Sequence, residues 1–260
     1  MRYVDTTYCA EVEQRCLKSE YSKSNHITLC HEFAPGQRCA SPERRQRYCI
    51  DEYEYPNQAG AHPPVMVDWY DGEAACEAEG KRLCYESEWV AACEGPEKLP
   101  FPAGRKRDPV ACNLDNPWIE PRLKGVYSSR PGLQNAELAR LDQSVPSGAK
   151  AGCVSGFGVH DLTGNLDEWV ISEKDRGRSK FAGLKGGAWG HVRNACRPIT
   201  FSHPPEFTYY FISFRCCADP RMSREDLAKP AADGVPVWRP PPPPAKRKAG
   251  PISKGVTPTK

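Results

Sequence analysis

Thirteen cysteines in 260 residues constrain this chain more than any other feature. A reducing cytosol keeps thiols free, so such a count points to an oxidising compartment and a framework of about five or six disulfides. An odd number leaves at least one thiol over. Zinc is the competing use, and zinc sites are written as close pairs such as C-x-x-C. None occurs. The cysteines stand at Cys9, Cys16, Cys30, Cys39, Cys49, Cys76, Cys84, Cys93, Cys112, Cys153, Cys196 and the adjacent Cys216 and Cys217. Disulfides are therefore expected. The opening MRYVDTTYCAEVEQRC is polar and cysteine-bearing, unlike a signal peptide. We expect an extracellular or periplasmic protein, a secreted one in the broad sense, with its export signal upstream of this sequence. No apolar run reaches the roughly 18 residues of a transmembrane segment.

The formal net charge of +3 belongs to one end. From Arg221 onward there are nine Lys or Arg against three Asp or Glu, which leaves the first 220 residues near −3. The folded part has no nucleic-acid footprint.

Composition divides the chain into residues 1–48, a cysteine-rich and charged N-terminal cap expected to be loop-rich; 49–220, the main domain; and 221–260, a Pro-rich basic tail. The tail, with its proline run Pro240 to Pro244, is too polar to pack and suits a Pro-binding groove or an anionic surface. Within the domain, DWYDGEAACEAEGKR reads as a helix capped by Asp71 and stopped by Gly80, and YESEWVAACEG as one capped by Ser87 and ended by Gly95. YCIDEYEY and FISFRCC read as strands, and 119–150 as irregular. The sum is an α+β domain with little regular structure, held by disulfides.

Seven segments then line up in order: YCIDEYEYPNQ, PVMVDWYDGEAACEAEGKRLCYESEWVAACEGP, FPAG, FGVHDLTGNLDEWV, LKGGAW, ACRP and SFRC. From about residue 48 to 220 the chain resembles the formylglycine-generating enzyme family, the sulfatase-modifying-factor domain, with the cap and tail outside the resemblance. That implies a C-type-lectin-like α+β fold, often with bound calcium. It also implies one calcium set matched by Asp161, Gly164, Leu166 and Glu168. A second begins at Asn113 and Leu114, its later carboxylate being Glu137 or Asp142. Oxygen donors of this kind suit a hard cation. The plainer reading of DLTGNLDEW is a capped turn, with Asn165 in the left-handed region and Trp169 in the core. The resemblance further implies a Cys93–Cys216 disulfide.

The family's enzymes oxidise a substrate cysteine with copper(I) on two thiolates five residues apart, a soft metal on soft ligands. Cys196 matches the second thiol, but His191 stands at the first. Ala188 replaces a serine after the Gly-Gly pair, and Asp167 replaces the first tryptophan of the W-E-W motif. Two readings follow. His191 and Cys196 form an altered catalytic centre holding copper or another transition metal, and the protein is an oxidoreductase; or Cys196 is a structural disulfide partner, and the chain is a non-catalytic, calcium-stabilised module for a protein, peptide or glycan ligand. There is no H-x-x-x-H or H-E-x-x-H, no G-x-S-x-G elbow and no phosphate-binding glycine loop.

Overall fold

The adjacent cysteines Cys216 and Cys217 sit on one strand and point to opposite faces of it, and this fixes how the molecule is stapled. The computed structural model describes every residue except Ser24, Asp175, His191, Val192, 222–236 and 238–260. The proline run of the tail thus lies outside the described residues.

In chain order the strands are β1 (Arg2–Tyr8), β2 (Val12–Glu13), β3 (Cys16–Ser22), β4 (Ile27–Phe33), β5 (Arg38–Cys39), β6 (Arg44–Ile50), β7 (Arg82–Leu83), β8 (Asp167–Ile171), β9 (Ala182–Lys185), β10 (Ile199–Thr200), β11 (Ile212–Phe214) and β12 (Cys216–Ala218). The helices are α1 (Trp69–Ala78), α2 (Glu86–Glu94), α3 (Leu123–Val126) and α4 (Pro131–Leu141). One sheet has the order β1-β6-β12-β7, the other β10-β9-β8-β11, in which β8 and β11 run parallel. The architecture is the expected α+β, with short elements and long irregular connections.

Both expected helices form, but each begins before its expected cap. The Asp68 carboxylate accepts the Asp71 N–H at 2.8 Å and Asp71 reaches back to the Asp68 N–H, so Asp68 is the cap and Asp71 closes the capping box. Gly80, at φ +69°, ends α1 as expected. Tyr85 rather than Ser87 precedes α2, because Glu88 accepts its N–H at 2.9 Å. The YCIDEYEY run is strand only to Ile50, and FISFRCC breaks at Arg215 into β11 and β12.

The boundary expected at residue 48 runs through a sheet. β1 pairs antiparallel with β6 along its length, and Val4 and Tyr48 are buried in the same core. Between these strands, residues 9–43 hold the β2–β5 pair and the β3–β4 hairpin, stapled by Cys9–Cys39 and Cys16–Cys30. They are strands where loops were expected. The hairpin is anchored to the domain through the Phe33 N–H, which donates to the Arg105 carbonyl, and the Arg107 N–H, which donates to that of His31.

Four more disulfides close the domain: Cys76–Cys216, Cys84–Cys217, Cys93–Cys196 and Cys112–Cys153. This corrects the Cys93–Cys216 expectation. Cys216 faces the core around Trp69, Leu83 and Phe214, where Cys76 of α1 lies at a Cα separation of 5.6 Å. Cys93 is in the other core, with Trp89, Val90 and Cys196, its Cα 5.5 Å from that of Cys196. Cys49 is the thiol left over among the described residues.

Candidate functional site

The segment after β9 carries the position matched to the catalytic thiol, and it is fastened at several points. Gly186 and Gly187 both have positive φ, +90° and +66°. A Cβ on Gly186 would stand 2.9 Å from the Leu162 carbonyl oxygen, so the turn requires glycine. The Gly187 N–H donates to Asp167 Oδ1 at 2.9 Å. Asp167, which departs from the family pattern, therefore holds the turn. Ala188 and Trp189 are buried beyond it, and Asn194 Nδ2 donates back to the Ala188 carbonyl at 2.8 Å.

Cys196 closes the segment. Its N–H donates to the Pro100 carbonyl at 3.0 Å, its side chain is fully buried, and its sulfur is bonded to Cys93 at the end of α2. The next residue repeats the connection, since Arg197 holds Glu94 with two hydrogen bonds of 2.6 and 3.0 Å. From below, the buried Lys185 ammonium donates to the Arg197 and Pro198 carbonyls at 2.9 Å each and lies 5.2 Å from the Trp89 ring centre. Burial lowers its pKa to about 7. A sulfur in a disulfide is not a thiolate and cannot serve as a soft metal ligand. His191 lies outside the described residues. The structure thus gives Cys196 a structural partner.

The residues of the first calcium set lie on the turn from Asp161 to Glu168, which also has the features of the plainer reading. Asn165 is left-handed at φ +55° and Trp169 is buried. Gly164 is obligatory, because a Cβ there would fall 2.3 Å from the Asn113 carbonyl oxygen. Asn165 is also a hydrogen-bonding hub, a role beyond its left-handed turn position. Its N–H donates to the Asn113 carbonyl, its Nδ2 to both carboxylate oxygens of Glu54, and its Oδ1 accepts from Asn113 Nδ2 and the Val145 N–H.

The donor set suits calcium at one residue. Asp161 Oδ2 accepts the Gly148 N–H at 2.7 Å, while Oδ1 is buried with no hydrogen-bond partner among the described residues. Burial pushes the Asp161 carboxyl up to about 6. Burial, and the charges of Asp161 and Glu168, push the neighbouring Glu54 well above the carboxylate range. An open, desolvated carboxylate oxygen among acids is what a hard cation would relieve. Glu168 is different. Arg215 takes both of its oxygens, at 2.6 and 2.7 Å, and Trp89 Nε1 donates to one of them at 2.8 Å. In the second set, Asn113 Oδ1 accepts from Asn116, Glu137 is engaged by Arg140 and the Arg122 N–H, and Asp142 Oδ1 accepts from the Ser144 N–H and hydroxyl.

A family model for the sulfatase-modifying factor enzyme 1-like domain matches residues 10–220. The chain belongs to this family. The match begins inside the cap, earlier than the motifs at residue 48. Among curated relatives, the inactive C-alpha-formylglycine-generating enzyme 2 of Mus musculus is 28% identical over 172 residues, covering 64% of this chain and 52% of the relative. The formylglycine-generating enzyme of the same organism is 26% identical over 176 residues, covering 61% and 44%. That of Thermomonospora curvata is 26% identical over 208 residues, covering 72% and 63%. The chain spans about half the length of the first two. Among solved structures, that of CarF superposes with a TM-score of 0.47 at 15% identity, covering 84% of this chain and 98% of CarF. Family membership and the observed elements agree on the α+β, C-type-lectin-like sulfatase-modifying-factor fold. The family's segments at Trp89, Trp169 and Phe214 all lie in its two main cores.

Proposed function

We propose that this chain is a non-catalytic member of the sulfatase-modifying-factor family, exported to an oxidising compartment, where its fold serves as a binding module for a protein, peptide or glycan. The Cys93–Cys196 disulfide carries this reading. Copper(I) oxidation needs two thiolates, and here one position is His191 while the other is spent as a buried staple. Six disulfides support export, since such a set persists only under oxidising conditions. Calcium, if taken up, is held by Asp161 with main-chain oxygens of its turn, where it supplies charge neutralisation rather than chemistry.

Titration of the oxidised protein with Cu(I) against a competing chelator tests the proposal. We expect no stoichiometric copper, and no oxidation of a cysteine-containing peptide under air. One equivalent of tightly held Cu(I), abolished in Cys196→Ala, would restore the oxidoreductase reading.

A further inference from the structure

The β3–β4 hairpin does not lie flat on the domain. A cavity of about 500 Å³ separates it from the 193–198 segment, within the range of pockets that enclose small molecules. Its walls are of two kinds. Ile27, Leu29 and Phe33 of the hairpin face Pro100, Phe101 and Pro198 of the domain. Among the described residues the charged lining is cationic, made by Arg107, Arg193 and Arg197, with no Asp or Glu.

Two of these charges are already balanced. Arg107 pairs with Asp115 and donates to Asn194 Oδ1 at 2.9 Å. Arg197 pairs with Glu94. Arg193 is the exception. It is only partly buried, and the one hydrogen bond of its side chain among the described residues runs from Nη1 to Thr200 Oγ1 at 3.3 Å. It has no carboxylate partner among the described residues. One guanidinium without a counter-charge among the described residues, in a cavity whose other two arginines are paired and whose facing walls are apolar, matches one negative charge carried on an apolar body. Its planar fork suits a carboxylate in particular.

We infer that the cavity between the cap hairpin and the 193–198 segment binds a small organic monoanion, a carboxylate on a ring-sized apolar body, through Arg193 and the walls formed by Ile27, Leu29 and Phe101. A polyanion would exceed the single unbalanced charge. The inference rests on the binding-module reading and gives that module a ligand class and an address.

The probes are 3-phenylpropionate and its neutral amide, titrated into the full chain by calorimetry at neutral pH. We expect saturable one-site binding of the acid, at least tenfold tighter than the amide and weakening with added salt. Arg193→Gln should remove the preference for the acid. Leu29→Glu, which sets a competing carboxylate in the cavity from a partly exposed strand position, should weaken acid binding at least tenfold with a native near-UV circular dichroism spectrum. Absence of saturable acid binding, equal affinity for acid and amide, or an unchanged preference in a folded Arg193→Gln protein would overturn the inference. Those results would leave the non-catalytic reading standing, because Cu(I) titration decides that question separately.

Discussion

Lys185 shows how much a single residue of this site is asked to do. It is fully buried, its neighbours are two carbonyls and an indole face, and burial lowers its pKa to about 7. A base whose folded pKa is depressed binds fewer protons when native than when unfolded, between the folded value and the unfolded value of about 10.4. Stability contributed by this group therefore rises with pH from about 7 upward. Urea midpoints at pH 7 and pH 9, in a Cys49→Ser background that prevents thiol exchange, should climb more for the native lysine than for Lys185→Met. The difference should be on the order of 1–2 kcal/mol. Parallel pH dependence of the two would show that the lysine stays charged in the fold. Asp167 teaches a related lesson. In the sequence it was visible only as a departure from a tryptophan, and its task, accepting the Gly187 N–H, depends on a turn that no local pattern announces.

Among the elements, those with capping chemistry were legible and those without it were not. Helices α1 and α2 are marked by Asp, Glu and Gly at their ends, and only the exact cap shifted. Helix α4 was read as irregular because, among its leucines, only Leu138 and Leu141 are buried, too few to write a helical period. Strand β3 is exposed at nearly every residue, so it has no alternation to read. The Asp161–Glu168 turn separates two roles that look identical in sequence. Asp161 offers an open oxygen, whereas Glu168 is the partner of a fully buried arginine. If calcium binds, it should raise the melting temperature of the native protein by mass action, and Asp161→Asn should erase that increment. Glu168→Gln should instead destabilise with or without calcium, by about 3–5 kcal/mol, because it strands Arg215. Calcium-dependent differential scanning fluorimetry separates these outcomes. An increment that survives Asp161→Asn would place the ion elsewhere.

For the whole molecule, the cysteine count foretold the framework but not its wiring. Six bridges and one thiol left over follow from the number of cysteines and the absence of metal spacings. The pairing depends on which core each sulfur enters, and that is settled only when α2 meets the 193–198 segment and β12 meets α1. Cys93–Cys216 failed for this reason. The cysteine that α2 claims is Cys196, so the matched sulfur is a disulfide partner and not a thiolate.

Peptide mapping of the non-reduced protein by mass spectrometry, after blocking accessible and denaturant-exposed thiols, tests this most directly. We expect a peptide pair joined through Cys93 and Cys196, with Cys49 as the blocked thiol. A blocked Cys196, with Cys93 joined to another cysteine, would contradict it and return the site to catalysis.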